Sequence, residues 1–268
     1  MKAIVKLLSI LSVVLFTPAV FAQIDIDSCG TEITSSGTYL VTQNLINTSG
    51  SCIKITGATN VTLDCQGYRL TGDGSGDGIW VDNPSNGVVI RNCDIYSFDN
   101  GIHYRGDDGL IEYNKIVGNT RGIRLSQGYG DEVRWNTGKD NYLGMYIDLS
   151  SNNDIYENTF HRSEYGLWCH RGAGNYFIEN QLNLNNARGI YFYTCNNNFI
   201  WHNTANLNAN GFYILKGSSG NDFYKNVVNR NDVRGIIDWA GNDTLNTYER
   251  NVCKNNGTEP SNVTGACK

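Results

Sequence analysis

The chain of 268 residues is short of several things that usually announce a function. It has no Cys-x-x-Cys pair and no Cys/His spacing like a metal knuckle, which argues against zinc and thiol redox chemistry. Basic charge is in deficit, with 21 Lys+Arg against 26 Asp+Glu and a net charge of −5. That balance argues against a nucleic-acid partner, which normally needs a basic face. Beyond the N-terminus no run is apolar enough to span a bilayer, so no membrane span is expected. Proline is scarce, at three residues against 30 glycines and many asparagines, and that ratio points to a chain of repeated turns.

The first 22 residues have the layout of a secretory signal peptide. Lys2 and Lys6 precede a short apolar run, and Val20-Phe21-Ala22 fits small-residue cleavage before Gln23. No cysteine stands at that point, so a lipid anchor is not indicated. Export to the periplasm or beyond follows, and in an oxidising compartment eight cysteines read as disulfides.

A repeat organises the rest. Gly78, Gly101, Gly122, Gly144, Gly166, Gly189, Gly211 and Gly235 recur every 21 to 24 residues, each followed by apolar residues at alternate positions. Between them run three phased asparagine columns: Asn114, Asn136, Asn158, Asn180, Asn203, Asn226 and Asn251; Asn153, Asn175, Asn198, Asn221 and Asn246; Asn119, Asn141, Asn185, Asn208, Asn231 and Asn256. Three Asn-marked bends per unit make a triangular coil, because Asn bonds nearby backbone and tolerates left-handed φ/ψ. Stacked coils would bring equivalent amides into ladders and share one continuous core. A sandwich with regular turns does not require phased columns, and a leucine-rich repeat needs a consensus that is missing here.

The repeat, from about Ile53 to Asn256, resembles the right-handed parallel β-helices that include pectate lyases, alginate epimerases and periplasmic NosD-type proteins. The stretches Cys29-Gly-Thr-Glu-Ile and Asn60-Val-Thr-Leu-Asp-Cys-Gln-Gly-Tyr resemble the opening coils of secreted members with a Cys-tied cap. The resemblance implies a single-stranded right-handed parallel β-helix, all-β, with coils of about 22 residues. It divides the chain into a leader (1–22), a cap (23–52), the helix (53–256) and a C-terminal tail (257–268). With the spacing it implies Cys29–Cys52 tying the cap, Cys65–Cys93 joining coils and Cys253–Cys267 closing the tail. It says little about activity, since the same coil hosts unrelated chemistries.

Strand alternation then sorts the side chains. Counting each Gly as zero, positions one and three are apolar and point inward, which puts Cys169 in a core column as a buried small hydrophobe. A bridge to Cys195, three residues further along the next coil, is left open. Positions two and four form an outer face: Trp80, His103, Arg124, Tyr146, Trp168, Tyr191 and Tyr213, then Asp82, Arg105, Ser126, Asp148, His170, Tyr193, Leu215 and Trp239. Aromatics among charged groups suit a polysaccharide or oligosaccharide, rings stacking on sugars and polar heads bonding hydroxyls or carboxylates. A structural aromatic stack is the alternative. The other walls, with Glu157, Glu179, Lys225 and Arg250, read as solvated, and His161 and His202 as surface residues.

Three chemistries are weighed. Elimination from a uronate, or its C5-epimerisation, needs a cation for the carboxylate, a base and an acid. Arg124 and Arg105 serve the first need; His103, His170 and Tyr146 serve the others. Arg124, Tyr146, Asp148 and His170 form the centre, with Arg171 at the strand end, and Trp80, Asp82, Trp168, Tyr191, Tyr193, Tyr213 and Trp239 lining the groove. Glycoside hydrolysis needs two carboxyls about 5–9.5 Å apart. Asp82 and Asp148, three coils apart, are about 14 Å distant, which leaves only Asp107 or Asp108 with Asp148, and the Asn-Thr-Asp and Gly-His-Gly signatures of β-helix galacturonases are missing. Non-catalytic glycan binding by a NosD-like periplasmic or surface protein is the third reading. No cofactor is called for. Asp73, Ser75 and Asp77 resemble half of a calcium loop, but its twelfth position is Pro84 and a Gly-rich turn explains the stretch equally well. A monomer is expected.

Overall fold

The structure, a computed structural model, describes residues 23–241 and 245–268. The expected leader lies outside these residues. Every strand pair among them is parallel, and the chain winds as a parallel β-helix with three walls. One wall is an eleven-stranded sheet of long strands, including Asp77–Asp82, Asn100–Tyr104, Arg121–Ser126, Leu143–Asp148, Tyr165–His170, Arg188–Tyr193, Asn210–Ile214 and Arg234–Asp238. A second, here called the back sheet, also has eleven strands. The third has six, ending at Thr159–His161, after which single bridges through Gln181, Thr204, Val227 and Val252 continue it.

The expected phase is the observed one. Leu167 and Cys169 are buried, whereas Trp168 and His170 lie on the outer side, and the same alternation holds for Ile79/Val81, Ile123/Leu125 and Ile190/Phe192. Register is in step from coil to coil: Tyr146 pairs with Trp168, and Trp168 with Tyr191. The inward columns form one core running the length of the helix.

The asparagine columns are buried ladders. Asn136 donates its backbone N–H and its Nδ2 to Oδ1 of Asn158, each at 3.0 Å, and Asn158 does the same to Asn180. Nδ2 of Asn158 also reaches the Val133 carbonyl at 2.8 Å. Both lone pairs and both N–H groups of the amide are thereby used. The third ladder is broken once, at Ser163, whose N–H still donates to Oδ1 of Asn185 at 3.0 Å.

The left-handed residue at each corner is the one before the asparagine, contrary to expectation. Trp135, Glu157, Glu179, His202 and Lys225 have φ of 52 to 55° and stand just before Asn136, Asn158, Asn180, Asn203 and Asn226. A left-handed L-residue costs about 1–2 kcal/mol, and the ladder bonds that follow at once hold it there. The preceding side chain is thrown outward while the amide turns in.

The repeated glycine has a packing cause. A methyl group on Gly166 would lie 2.7 Å from the Gly189 carbonyl and 2.8 Å from Nδ2 of Asn185. The glycine column therefore faces the third ladder with no room for a side chain, and position zero is buried together with position one. That breaks strict alternation at the corner and leaves position minus one on the outside.

All four disulfides form, including Cys29–Cys52, Cys65–Cys93 and Cys253–Cys267 as the resemblance implied. The fourth, Cys169–Cys195, corrects the reading of Cys169 as a free buried thiol. Gly172 underlies it: a methyl group there would sit 2.9 Å from the Cys169 sulfur, so its absence opens the interior to the bridge. Four disulfides belong to a compartment outside the reducing cytosol.

Two predictions follow from this core. Replacing Cys169 and Cys195 by alanine together opens a loop of 26 residues and is expected to cost about 3 kcal/mol, read as a lower urea midpoint. The second concerns Asp131, which begins the second ladder where the repeat would place Asn. Its Oδ1 accepts the Gly109 N–H, its own N–H donates to Asn153, and its Oδ2 has no partner. Burial first, then Asp107 and Asp108, push this carboxyl up to about 8. It is protonated when folded and ionised when unfolded above about pH 4, so its contribution is full at acid pH and is lost as pH rises through 8. Asp131→Asn should stabilise the protein by about 1–3 kcal/mol at neutral pH, with an advantage over the parent that grows between pH 4 and 8. Parallel stability–pH curves for the two proteins would refute this.

Candidate functional site

The centre of the long-strand face brings together four of the residues chosen from sequence. Asp148 Oδ1 lies 3.1 Å from Nδ1 of His170, and its Oδ2 lies 3.4 Å from Nη2 of Arg124. Tyr146 Oη is 3.2 Å from the same His170 nitrogen. Arg171, left-handed at φ 53°, swings back so that Nη2 comes within 3.8 Å of Asp148. Rings run in series along the stack: His170 is parallel to Tyr146 at 6.5 Å and to Tyr193 at 5.4 Å.

Register explains the assembly. Ser126, Asp148, His170 and Tyr193 are Cα partners in four successive strands, as are Arg124, Tyr146 and Trp168 in the neighbouring column. One winding therefore separates each pair of reactive groups, about 4.8 Å. A carboxylate accepts hydrogen bonds and cannot donate them, so Nδ1 of His170 carries the proton toward Asp148. The neutral ring then has a free lone pair on Nε2. Burial, followed by the Asp148 charge, pushes the Tyr146 phenol above its ordinary value despite Arg124, Arg121 and Arg171. Tyr146 thus keeps its proton and is suited to an acid role.

The other candidates are placed differently. His103 is held on both nitrogens, Nε2 at 2.8 Å from Ser126 and Nδ1 at 3.8 Å from Asp77. Arg105 bonds Gln127 at 2.7 Å and pairs with Asp82 at 3.3 Å. His103 is thus tied to Ser126 and Asp77, and Arg105 to Gln127 and Asp82, below the centre. Trp80 lies parallel to His103 at 6.4 Å, with Lys54 over its ring. Trp168, Tyr191 and Tyr213 pack in sequence at 4.8 and 5.9 Å, and Tyr193 and Trp239 are exposed.

Asp108 makes no contact with Asp148; its Oδ1 leans on the next winding, beside Gly130. In the half-loop considered for calcium, Asp73 accepts from Ser75, and Asp77 is turned to Asn100 and Ser51. Burial drives the Asp77 carboxyl up, but bonds from His103, Asn100 and Ser51 outweigh it and hold it low.

Position minus one was missed by sequence reasoning. It places Arg121, Tyr165, Arg188 and Arg234 on the same face. Arg188 lies over Tyr165, Tyr191 and Tyr213, at 5.3, 4.5 and 4.1 Å, and forms the hub of the aromatic half. The signal was present, since the residue before each glycine is Asp, Asn, Arg, Leu or Tyr where strict alternation expects an apolar one.

A family model described as periplasmic copper-binding protein (NosD) matches residues 29–257. Copper favours Cys, Met and His donors, and this chain's set does not fit a copper site. All eight cysteines are bridged and Met145 is in the core. His103 and His170 stand three windings apart, and His161 and His202 occupy other walls. Among the described residues no group of three His, Cys, Asp or Glu is arranged to hold a metal ion. No helix among them is long and apolar enough to cross a membrane.

Solved structures similar to this chain include the periplasmic alginate epimerase AlgG, at 17% identity and TM-score 0.63 over 86% of this chain and 73% of that one. The Dettilon tailspike protein gp208 has 15% identity and TM-score 0.72, over 90% of this chain and 61% of that one. The A-module of the Azotobacter vinelandii mannuronan C-5 epimerase AlgE6 has 12% identity and TM-score 0.57, over 92% and 87%. At these identities the likeness is one of fold. No curated protein matches significantly in sequence. The NosD model covers most of the chain, and the protein belongs to that family.

Proposed function

We propose that this exported β-helix acts on an acidic polysaccharide by removing the proton α to a uronate carboxylate. The observation that carries the reading is the contact set Arg124–Asp148–His170–Tyr146 on an open sheet face. Asp148 orients His170, whose Nε2 takes the proton from C5. Arg124 and Arg171 share one carboxylate between them, which leaves the cluster a net positive charge for the substrate's own carboxylate. Tyr146 keeps its proton for the leaving oxygen at C4. In elimination the C5–H electrons form the C4=C5 bond, the C4–O bond breaks, and the glycosidic oxygen takes the tyrosine proton. In epimerisation the proton returns to C5 on the opposite face of the ring. Tyr146 and His170 touch each other and so meet one ring face, which favours elimination. Two fold neighbours are named as alginate or mannuronan epimerases, enzymes of an acidic glycan, which supports the substrate class.

Glycan binding without chemistry is the second reading, favoured by the Arg188-centred aromatic cluster and by the engagement of His103 with Ser126 and Asp77 and of Arg105 with Asp82.

Purified protein incubated with alginate, pectate and glycosaminoglycans should produce the ultraviolet absorbance of an unsaturated uronate. His170→Ala should lower the rate by about 10²–10⁴-fold, Tyr146→Phe by a comparable factor, and His103→Ala far less. Polymer NMR that shows inverted C5 centres without cleavage would move the assignment to epimerisation. Binding with neither product would leave the second reading.

A further inference from the structure

The back sheet faces away from the His170 cluster, and its outer surface is far from bland. Register stacks Glu132, Asp154, Tyr176, Phe199 and Asp222 in one column, and Arg134, Tyr156, Ile178, Trp201 and Tyr224 in the next. The left-handed corner residues add Tyr113, Trp135, Glu157 and Glu179 beside them. A cleft of ≈ 580 Å³ is lined by Asp154, Tyr156, Glu157, Tyr176, Ile178 and Glu179. A second, of ≈ 420 Å³, lies along the same face between Phe199, Asp222, Tyr224 and Glu249. The step from Asp154 to Asp222 is three windings, about 14 Å. A third concavity toward the other end holds Asp64, Asp94 and Tyr113. Carboxylate and aromatic ring thus recur together along the long axis, but in the second and third concavities Glu249 is paired with Arg250, Asp64 with Arg91 and Asp94 with Lys115, so the first cleft is the one whose carboxylates are open.

No base lines the first cleft. The Asp154 carboxylate takes part in no side-chain hydrogen bond or ion pair among the described residues; burial and then the Glu132 charge raise it. Glu157 accepts only the Trp135 indole N–H, and Glu179 stands 3.8 Å from His202. Arg134, which also donates to Tyr156, is consumed by Glu112 and Glu132. Tyr176 is 48% exposed, with its ring open to a partner. A uronate chain would be repelled here, whereas sugar rings would stack on Tyr156 and Tyr176 and ammonium groups would meet unpaired carboxylates.

We infer that this face is a second glycan site, which takes a cationic amino-sugar chain laid along the coil axis. It is independent of the chemistry assigned to the opposite face. The test is titration of the full chain with a glucosamine oligomer and with its fully N-acetylated counterpart of equal length, followed by calorimetry. The free-amine oligomer should bind at least about tenfold more tightly, and an oligouronate should not compete. Glu157→Gln with Glu179→Gln, and separately Tyr176→Ala, should each weaken it by about tenfold or more, while Arg124→Ala leaves it unchanged. Equal binding of the acetylated oligomer, no binding by either, or indifference to the carboxamide changes would each overturn the assignment. The first comparison uses the unaltered protein, so it does not depend on the variants folding.

Discussion

A buried primary amide offers two donors and two acceptor lone pairs, and leaving any of them empty costs about 1–3 kcal/mol. The asparagine ladders meet that demand only when each winding lies directly on the next. Asn158 takes both of its acceptor bonds from Asn136 and gives its N–H groups to Asn180 and to backbone. A slip of one residue would empty the whole column at once. Register is therefore set by polar contacts at the corners, and the apolar columns of Ile, Leu and Phe, which would tolerate some sliding, follow it. The Gly column is a consequence, since Nδ2 of Asn185 or Asn231 occupies the space a side chain would need.

The same constraint built the catalytic candidate. With windings locked one strand apart, residues some 22 positions distant in sequence become neighbours, so Asp148 meets His170 and Arg124 without any loop to fold. Such a site is as rigid as its scaffold, which is the preorganisation that electrostatic stabilisation requires. It also explains why a single replaced ladder residue, Asp131, carries an unusual titration: the column offers its carboxyl the bonds of an amide and no water.

Period, asparagine phase and inward columns were all readable in the chain, because each is a statement about residues at a fixed interval. Three cysteine pairs were readable through the resemblance. The Cys169–Cys195 bridge was hidden, since it depends on the hole above Gly172 and not on matching strand positions. Arg188 was hidden because the corner glycine breaks the two-residue alternation that assigned the face. His170, held on one ring nitrogen, and His103, held on both, look identical in sequence. Only partners in the neighbouring windings, Ser126 and Asp77 for one and Asp148 for the other, tell them apart.

The back sheet was legible in part. Glu157 and Glu179 are exposed, as a solvated wall requires, but their alignment with neighbouring rings does not show residue by residue. Left-handed corners turn these residues outward and align them with Tyr156 and Tyr176 of the adjoining strands. The long-strand face, by contrast, gathers Arg105, Arg121, Arg124, Arg171 and Arg188. Both walls carry both signs: Asp82 and Asp148 pair with Arg105 and Arg124 on the long-strand face, and Asp64, Glu112 and Glu249 pair with Arg91, Arg134 and Arg250 on the back sheet. Which charges stay unpaired, and not the net charge of −5, therefore decides what each wall attracts.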